Sequence, residues 1–434
     1  MAPTLGFYRS PAFLISLLLA IGVQAYCVLH LHTDPPIRSD GWGYYLHLPA
    51  AFVYGDLHLS FLKAGDLPPD LARHRFASGN WQGLSPTETG YRDKYALGPA
   101  VLQLPFFLGA LVYAKWTLPS VSGFEIPFQV ANVLSAAFYF ALGTWLAYQT
   151  ARLRYARLPS AAAIAFAVFA TNLLFYAAFD GSFSHIYGFC IIAGLVYLTI
   201  RTQEAGAAPG PLAFALFGFL MGLAVMVRPT NAVAALLYLV FVRRAKFSQL
   251  AIGTLLGIVA SVCAAAPQML LWLFTAGSLI YWSYVGEGFK FLTPGVLTYL
   301  AAPPKGIFFW HPAYLIMIVS LAAQLPARLL ETAVLLAIVA LNIYLGAAWG
   351  DNTFGDSFGC RQIVEMIPLL LPSTAAAAAW ATKATPRRAV AITLAIALAA
   401  ANTLLFYGYV KSAFPHNKAT LADVRAFWSH PFRR

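Results

Sequence analysis

The sequence predicts an all-α protein that crosses a membrane many times, and three observations carry that prediction. Of 434 residues, 60% are hydrophobic and only 10% are Asp, Glu, Lys or Arg, against roughly 25% charged in an ordinary soluble domain. The shortage is spread along the chain in long uncharged runs, which neither a signal peptide nor a single anchor would produce. Basic residues cluster in the short turns between runs, as the positive-inside rule requires. The formal charge of +12, from 28 basic and 16 acidic residues, would suggest nucleic acid in a soluble protein; here topology accounts for it, and no nucleic-acid partner is expected. Cys27, Cys190, Cys263 and Cys360 lie far apart and read as small buried hydrophobes, neither a disulfide framework nor a metal set.

The elements follow in order. Uncharged runs occupy 11–31, 96–114, 126–151, 158–179, 181–200, 205–227, 229–242, 247–286, 306–327, 332–350, 366–382 and 389–410. Most reach the roughly 20 residues a helix needs to span the hydrocarbon layer. Arg9, the turn Arg152, Arg154 and Arg157, Arg201, the turn Arg243, Arg244 and Lys246, and the turn Lys383, Arg387 and Arg388 are assigned to the cytoplasm. A full crossing by 96–114 would put the Arg152 turn outside. Pro99 and Pro105 therefore mark 96–116 as a re-entrant or short helix that dips in and returns. About eleven full crossings result, within a transmembrane domain of residues 1–410, and the short tail 411–434 falls outside.

This topology makes the acids informative. Seven of the 16 lie in the first external loop, 32–95: Asp34, Asp40, Asp56, Asp66, Asp70, Glu88 and Asp93. Glu125, Asp180, Glu287, Asp351, Asp356, Glu365 and Asp423 fall on or near the same side, leaving Glu204 and Glu331 for the cytoplasm. Acids do little to set topology, so chemistry on the outer face is one reason for this placement. The loop reads as short amphipathic helices along the membrane surface, with apolar residues recurring through 41–52 and 57–62. Asp40 is followed by Gly41, Trp42, Gly43, Tyr44 and Tyr45: aromatic faces suit a sugar ring, and a carboxylate can accept a hydroxyl proton. The alternative is an Asp that caps the helix starting at Gly41.

Other polar groups interrupt the apolar runs on the same side. They are Tyr91-Arg-Asp-Lys-Tyr95, Asp180-Gly-Ser-Phe-Ser-His185, Arg228-Pro-Thr-Asn231, Pro303-Pro-Lys-Gly306, and the stretch from Trp349 to Arg361 that contains Asp356. Charges at membrane boundaries are costly and point to function. Lys94, Arg361, Lys305 and Arg228 together suit a phosphate, with Arg able to bind it through two parallel hydrogen bonds; each taken alone could equally snorkel to the headgroups. His185 is a candidate for sugar or phosphate contact, or a structural hydrogen bonder.

The order of these blocks resembles that of the GT-C glycosyltransferases, the superfamily that includes protein O-mannosyltransferases and the bacterial aminoarabinose transferases of lipid A. The resemblance rests on Ser39-Asp40-Gly-Trp-Gly-Tyr-Tyr45 in the first loop and Lys94-Tyr-Ala-Leu-Gly-Pro-Ala-Val-Leu-Gln-Leu-Pro-Phe-Phe107 entering an apolar helix. Tyr176 to Phe189, Val227 to Asn231, Lys305 to Pro312 and Gly355 to Arg361 extend it over most of residues 1–375. It implies a polyprenyl-phosphate-linked sugar as donor and inversion at the anomeric carbon. Asp40 matches the base that takes the acceptor's proton, and Lys94 matches the lysine of the helix entry; Arg361, Lys305 and Arg228 are further phosphate candidates. Tyr44, Tyr45, Trp42, Asp180, His185 and Asp356 are candidates for sugar or acceptor. The chain departs from the pattern where Gly41 follows Asp40, since these transferases commonly carry an acidic pair. It has no Asp-x-Asp, so a divalent metal is without a motif. The acceptor implied is a hydroxyl of a lipid, glycan or protein, and the place a bacterial inner membrane with the site facing the periplasm. The rival classes are a transporter or flippase of a lipid-linked sugar, which would gather its binding groups at the midplane, and a ligase or polymerase joining whole glycans.

Overall fold

The computed structural model describes residues 7–64, 67–351 and 353–431; Asp66 and the last three tail residues lie outside them. Helix dominates because backbone in a bilayer must satisfy its N–H and C=O groups within its own segment. Among the described residues, eight helices are long and apolar enough to cross a membrane, and four more apolar helices have 10–17 residues. The first loop adds a two-stranded antiparallel hairpin, Leu84–Pro86 with Tyr91–Asp93.

Contacts sort the helix ends into two groups. At one end Arg154 binds Glu204 at 2.7 Å and Glu331 at 2.5 Å, while Arg328 reaches Glu204 at 3.1 Å. At the other end Asp40 meets Arg361, and Arg38 meets Asp180. Seven of the eight long helices, Pro11–His30, Ile126–Arg152, Ser184–Glu204, Phe247–Ala276, Leu329–Ala348, Arg361–Ala381 and Thr385–Val410, run between these ends. The shorter Arg157–Ala170, Pro211–Val227, Pro229–Phe241 and Ala313–Ala322 are interleaved with them, making eleven such helices among the described residues, four of them shorter than a full span.

The eighth long helix differs. The break expected in 96–116 is absent: Gly98–Thr117 is one continuous helix, with Pro99 in its first turn and Pro105 inside. A first-turn proline removes only an N–H that had no intrahelical partner. Both ends of this helix stay at the Asp40 end, Gly98 against the Met226–Val227 backbone and Ala114 in one apolar layer with Trp42, Tyr45 and Phe124.

Two cores result. Ser184–Glu204 and Arg361–Ala381 are the central helices, each 72% buried over its apolar window, whereas Phe247–Ala276 at 11% and Thr385–Val410 at 17% turn outward, toward lipid. Pro211–Val227 packs on Phe247–Ala276 through Gly218 and Gly222, where an added methyl would meet the facing backbone, the small-residue contact favoured between membrane helices. The first loop packs into a second core with the helix Gly98–Thr117 and the segment after it, built from Trp42, Leu46, Leu71, Trp81, Phe107, Phe124 and Phe128. Cys27, Cys190 and Cys360 are buried as expected, but Cys263 is exposed because it lies on the outward-turned helix 247–276. The tail forms the helix Leu421–Ser429, started by a Thr420–Asp423 capping box and seated with Phe427 on Gly408.

Candidate functional site

The site is built around Asp40, the first residue of the helix Asp40–Pro49. Ser39 before it has φ +48°, a conformation that strains a residue with a side chain and is typical of over-determined functional positions. Asp40 does not cap its helix. Its Oδ2 lies 2.6 Å from Arg361 Nη1, and its Oδ1 accepts a 2.6 Å hydrogen bond from the Tyr95 hydroxyl. Burial pushes the carboxyl up, but Arg361, the Tyr95 hydroxyl and Lys94 together outweigh it and hold Asp40 below its usual range. The carboxylate stays 20% exposed, so a small group can reach it.

The glycines flanking Trp42 serve packing rather than flexibility. A methyl at Gly41 would run into Ser182, and one at Gly43 into the Tyr95 ring. Only glycine lets this helix lie against both neighbours while Asp40 keeps its partners.

The segment that supplies Arg361 also supplies Glu365, four residues on. Glu365 Oε1 lies 3.1 Å from Arg228 Nη1 and 3.0 Å from His185 Nδ1, and the Arg228 nitrogen is 2.8 Å from the same His185 nitrogen. Arg228 sits where an extended residue separates Pro211–Val227 from the next helix, so the chain breaks there and the side chain turns into the bundle. Glu365 was expected only as an outer acid; its partner lies 137 residues away, and no local pattern announces it.

The other candidates divide. Lys94 is at the mouth, 2.7 Å from Glu287 and over the rings of Tyr95 and Tyr284. Tyr44 packs against Tyr95 with ring centroids 4.8 Å apart. Asp180 lies 3.3 Å from Arg38 Nε, whose guanidinium also covers the Phe179 ring. Burial raises Asp180 to about 6 despite Arg38. Lys305 is 4% exposed and donates to the carbonyls of Ser357 and His416, tying the loop before Arg361 to the tail; burial lowers it to about 7. Asp356 is exposed on that loop.

Trp42 and Tyr45 are corrected. Both are buried in the first-loop core, at 0% and 2% exposure. Trp42 stacks on Trp81 and His74, and the Tyr45 hydroxyl donates to Gly123 at 2.6 Å. Neither ring has a free face for a sugar. Among the described residues no group of three or more His, Cys, Asp or Glu could hold a metal ion.

Beside the site runs an apolar groove of about 830 Å³ between the first-loop helices and helix 247–276. His47, Phe52, Leu97, Leu104, Leu270 and Phe274 line it. Leu97 follows Tyr95 by two residues, so the groove opens beside the residue that holds Asp40.

No protein-family profile and no curated protein matches the sequence. Among solved structures, the chain is similar to ArnT from Cupriavidus metallidurans in the apo state, with a TM-score of 0.56 at 13% identity over 92% of this chain and 64% of that one. The Archaeoglobus fulgidus oligosaccharyltransferase gives 0.48 at 14% identity over 96% of this chain and 55% of that one. The chain thus spans less than two thirds of the length of either protein, and at these identities the fold is what is shared.

Proposed function

Starting from the GT-C fold that this chain has in common with ArnT, we propose that it is an integral membrane glycosyltransferase. It moves a sugar from a polyprenyl-phosphate donor to an acceptor hydroxyl, with inversion. The observation that carries this reading is a carboxylate set between an arginine and a tyrosine at 2.6 Å each, beside an apolar groove able to take an isoprenoid chain. In the step, the acceptor oxygen attacks the anomeric carbon while the bond from that carbon to the phosphate oxygen breaks. Asp40 takes the acceptor's proton, and the bonding pair leaves with the lipid phosphate. Arg361 and Lys94 stand where that developing charge can be met, and Arg228 lies deeper, with its charge already balanced by Glu365. Of the candidates for sugar or acceptor, Asp356 is exposed on the loop before Arg361, whereas Tyr44, Asp180 and His185 are buried.

The chain is a multi-pass membrane protein. Its basic turns gather at the Arg154 end, which supports a cytoplasmic position for that end and a periplasmic one for Asp40 in a bacterial inner membrane.

The test is the purified protein in liposomes with a panel of undecaprenyl-phosphate hexoses and pentoses and a membrane extract as acceptor, scored for free undecaprenyl phosphate. Release that falls about 10²- to 10⁴-fold in Asp40→Asn, at unchanged insertion, supports Asp40 as the base. Movement of intact donor across the bilayer without release would replace the transferase with a flippase.

A further inference from the structure

Tyr95 carries the hydroxyl that donates to Asp40, and its backbone is gripped on both polar groups by a buried pair. Its N–H donates to Asp93 Oδ1 at 2.8 Å, and its carbonyl lies 3.2 Å from His47 Nε2. His47 Nε2 and Asp93 Oδ2 are 3.7 Å apart, and each residue is 8% exposed. Asp93 Oδ2 makes no hydrogen bond. Gly43 and Gly83 close on the Tyr95 ring from the helix and the hairpin, leaving no room for a methyl. His47 has a second face: with Leu48 and Leu97 it lines the apolar groove.

Burying two ionisable side chains in an apolar loop core is costly; the sequence marks Asp93 only as one of the first-loop acids, and nothing in it marks His47. Burial lowers His47 to about 4 and raises Asp93 well above the carboxylate range. His47 is therefore neutral near pH 7 and can give its Nε2–H to the Tyr95 carbonyl.

We infer that His47 and Asp93 are positioning residues that fix Tyr95 so its hydroxyl stays on Asp40, and that His47 couples a lipid chain in the groove to the base. The inference rests on the transferase reading for its purpose, but its geometry can be read without turnover. The charged and titratable groups that face Asp40 are Arg361, Lys94, Tyr95, Tyr44, Tyr284 and Asp180; Tyr44 and Tyr284 also face Tyr95, and Lys94 faces Asp93. A hydrogen bond donated to a carboxylate favours its charged form. Losing the Tyr95 bond therefore raises the pH at which Asp40 ionises.

The experiment is an infrared titration of the full-length protein in liposomes, following the carboxyl band that disappears in Asp40→Asn. Tyr95→Phe and His47→Leu are each expected to move its midpoint up by roughly one pH unit, and the double variant no further. His47→Gln, whose amide N–H can still reach the carbonyl, keeps the native midpoint and guards against a folding defect in His47→Leu. Added undecaprenol, which fills the groove with the isoprenoid chain but brings no phosphate charge to Arg361 and Lys94, shifts the native band and leaves that of His47→Leu unmoved. The acid limb of lipid-phosphate release follows the same midpoints. A native midpoint in His47→Leu, or additive shifts in the double variant, overturns the inference. Failure of the transferase reading looks different: the midpoints move as expected while no donor yields lipid phosphate.

Discussion

Arg361 shows how much one residue can decide at this site. It is the largest force holding the Asp40 charge against burial, and it reaches the carboxylate at 2.6 Å. Arg361→Gln removes that charge, so the Asp40 pKa rises and the proton-accepting form is lost at a higher pH. The expected outcome is an acid limb of lipid-phosphate release displaced upward, with a fall in rate at neutral pH of about 10²-fold or more as a partner of the leaving phosphate also goes; a pH–rate profile in liposomes checks both. Asp40 and Arg361 were legible in the sequence because a charge in an apolar chain is conspicuous. Tyr95 and Asp93 stood out only as part of the polar block 91–95 and His47 not at all, since their roles depend on contacts across the loop. Trp42 and Tyr45 misled for a related reason: aromatic residues beside a loop carboxylate read as open faces unless the loop packs into a core, and this one does.

At the scale of the element, the helix Asp40–Pro49 is a mount. Its glycines permit contact with Ser182 and the Tyr95 ring, and its first residue follows a strained Ser39. Gly43→Ala is expected to force Tyr95 away, at a stability cost of about 1–3 kcal/mol from overpacking, and to lower release at least as far as Tyr95→Phe does. Rate and thermal unfolding, measured on the two variants side by side, check this. The helix itself was readable from the recurrence of apolar residues in 41–52. The continuity of Gly98–Thr117 was not, because two prolines suggest a break, whereas one falls in the first turn and the other is absorbed within the helix.

At the scale of the whole molecule, the two ends of the bundle do different work. The Arg154 end joins three turns through one guanidinium with a side chain only 6% exposed. Arg154→Ala leaves Glu204 and Glu331 without that partner and is expected to cost about 3 kcal/mol or more. The measurable outcome is a lower melting temperature in detergent with lipid-phosphate release per folded molecule unchanged. That the chain crosses a membrane many times could be read from uncharged runs and basic turns because both follow from the solvent, the bilayer. Which helices stand at the centre could not, since Ser184–Glu204 and Phe247–Ala276 are both apolar throughout and differ only in what surrounds them.

The distance along the chain between Asp40 and Arg361 has a consequence for biogenesis. A growing chain delivers its N-terminal parts first, so the first loop is made early, and the core that packs it is complete once Phe107, Phe124 and Phe128 follow. Arg361 arrives only with the tenth of the eleven helices. Until then Asp40 has only Lys94 as a nearby cation, although its helix can already meet Ser182. A chain stalled or truncated before residue 361 therefore carries every first-loop group named above and still lacks the arginine that pairs with Asp40.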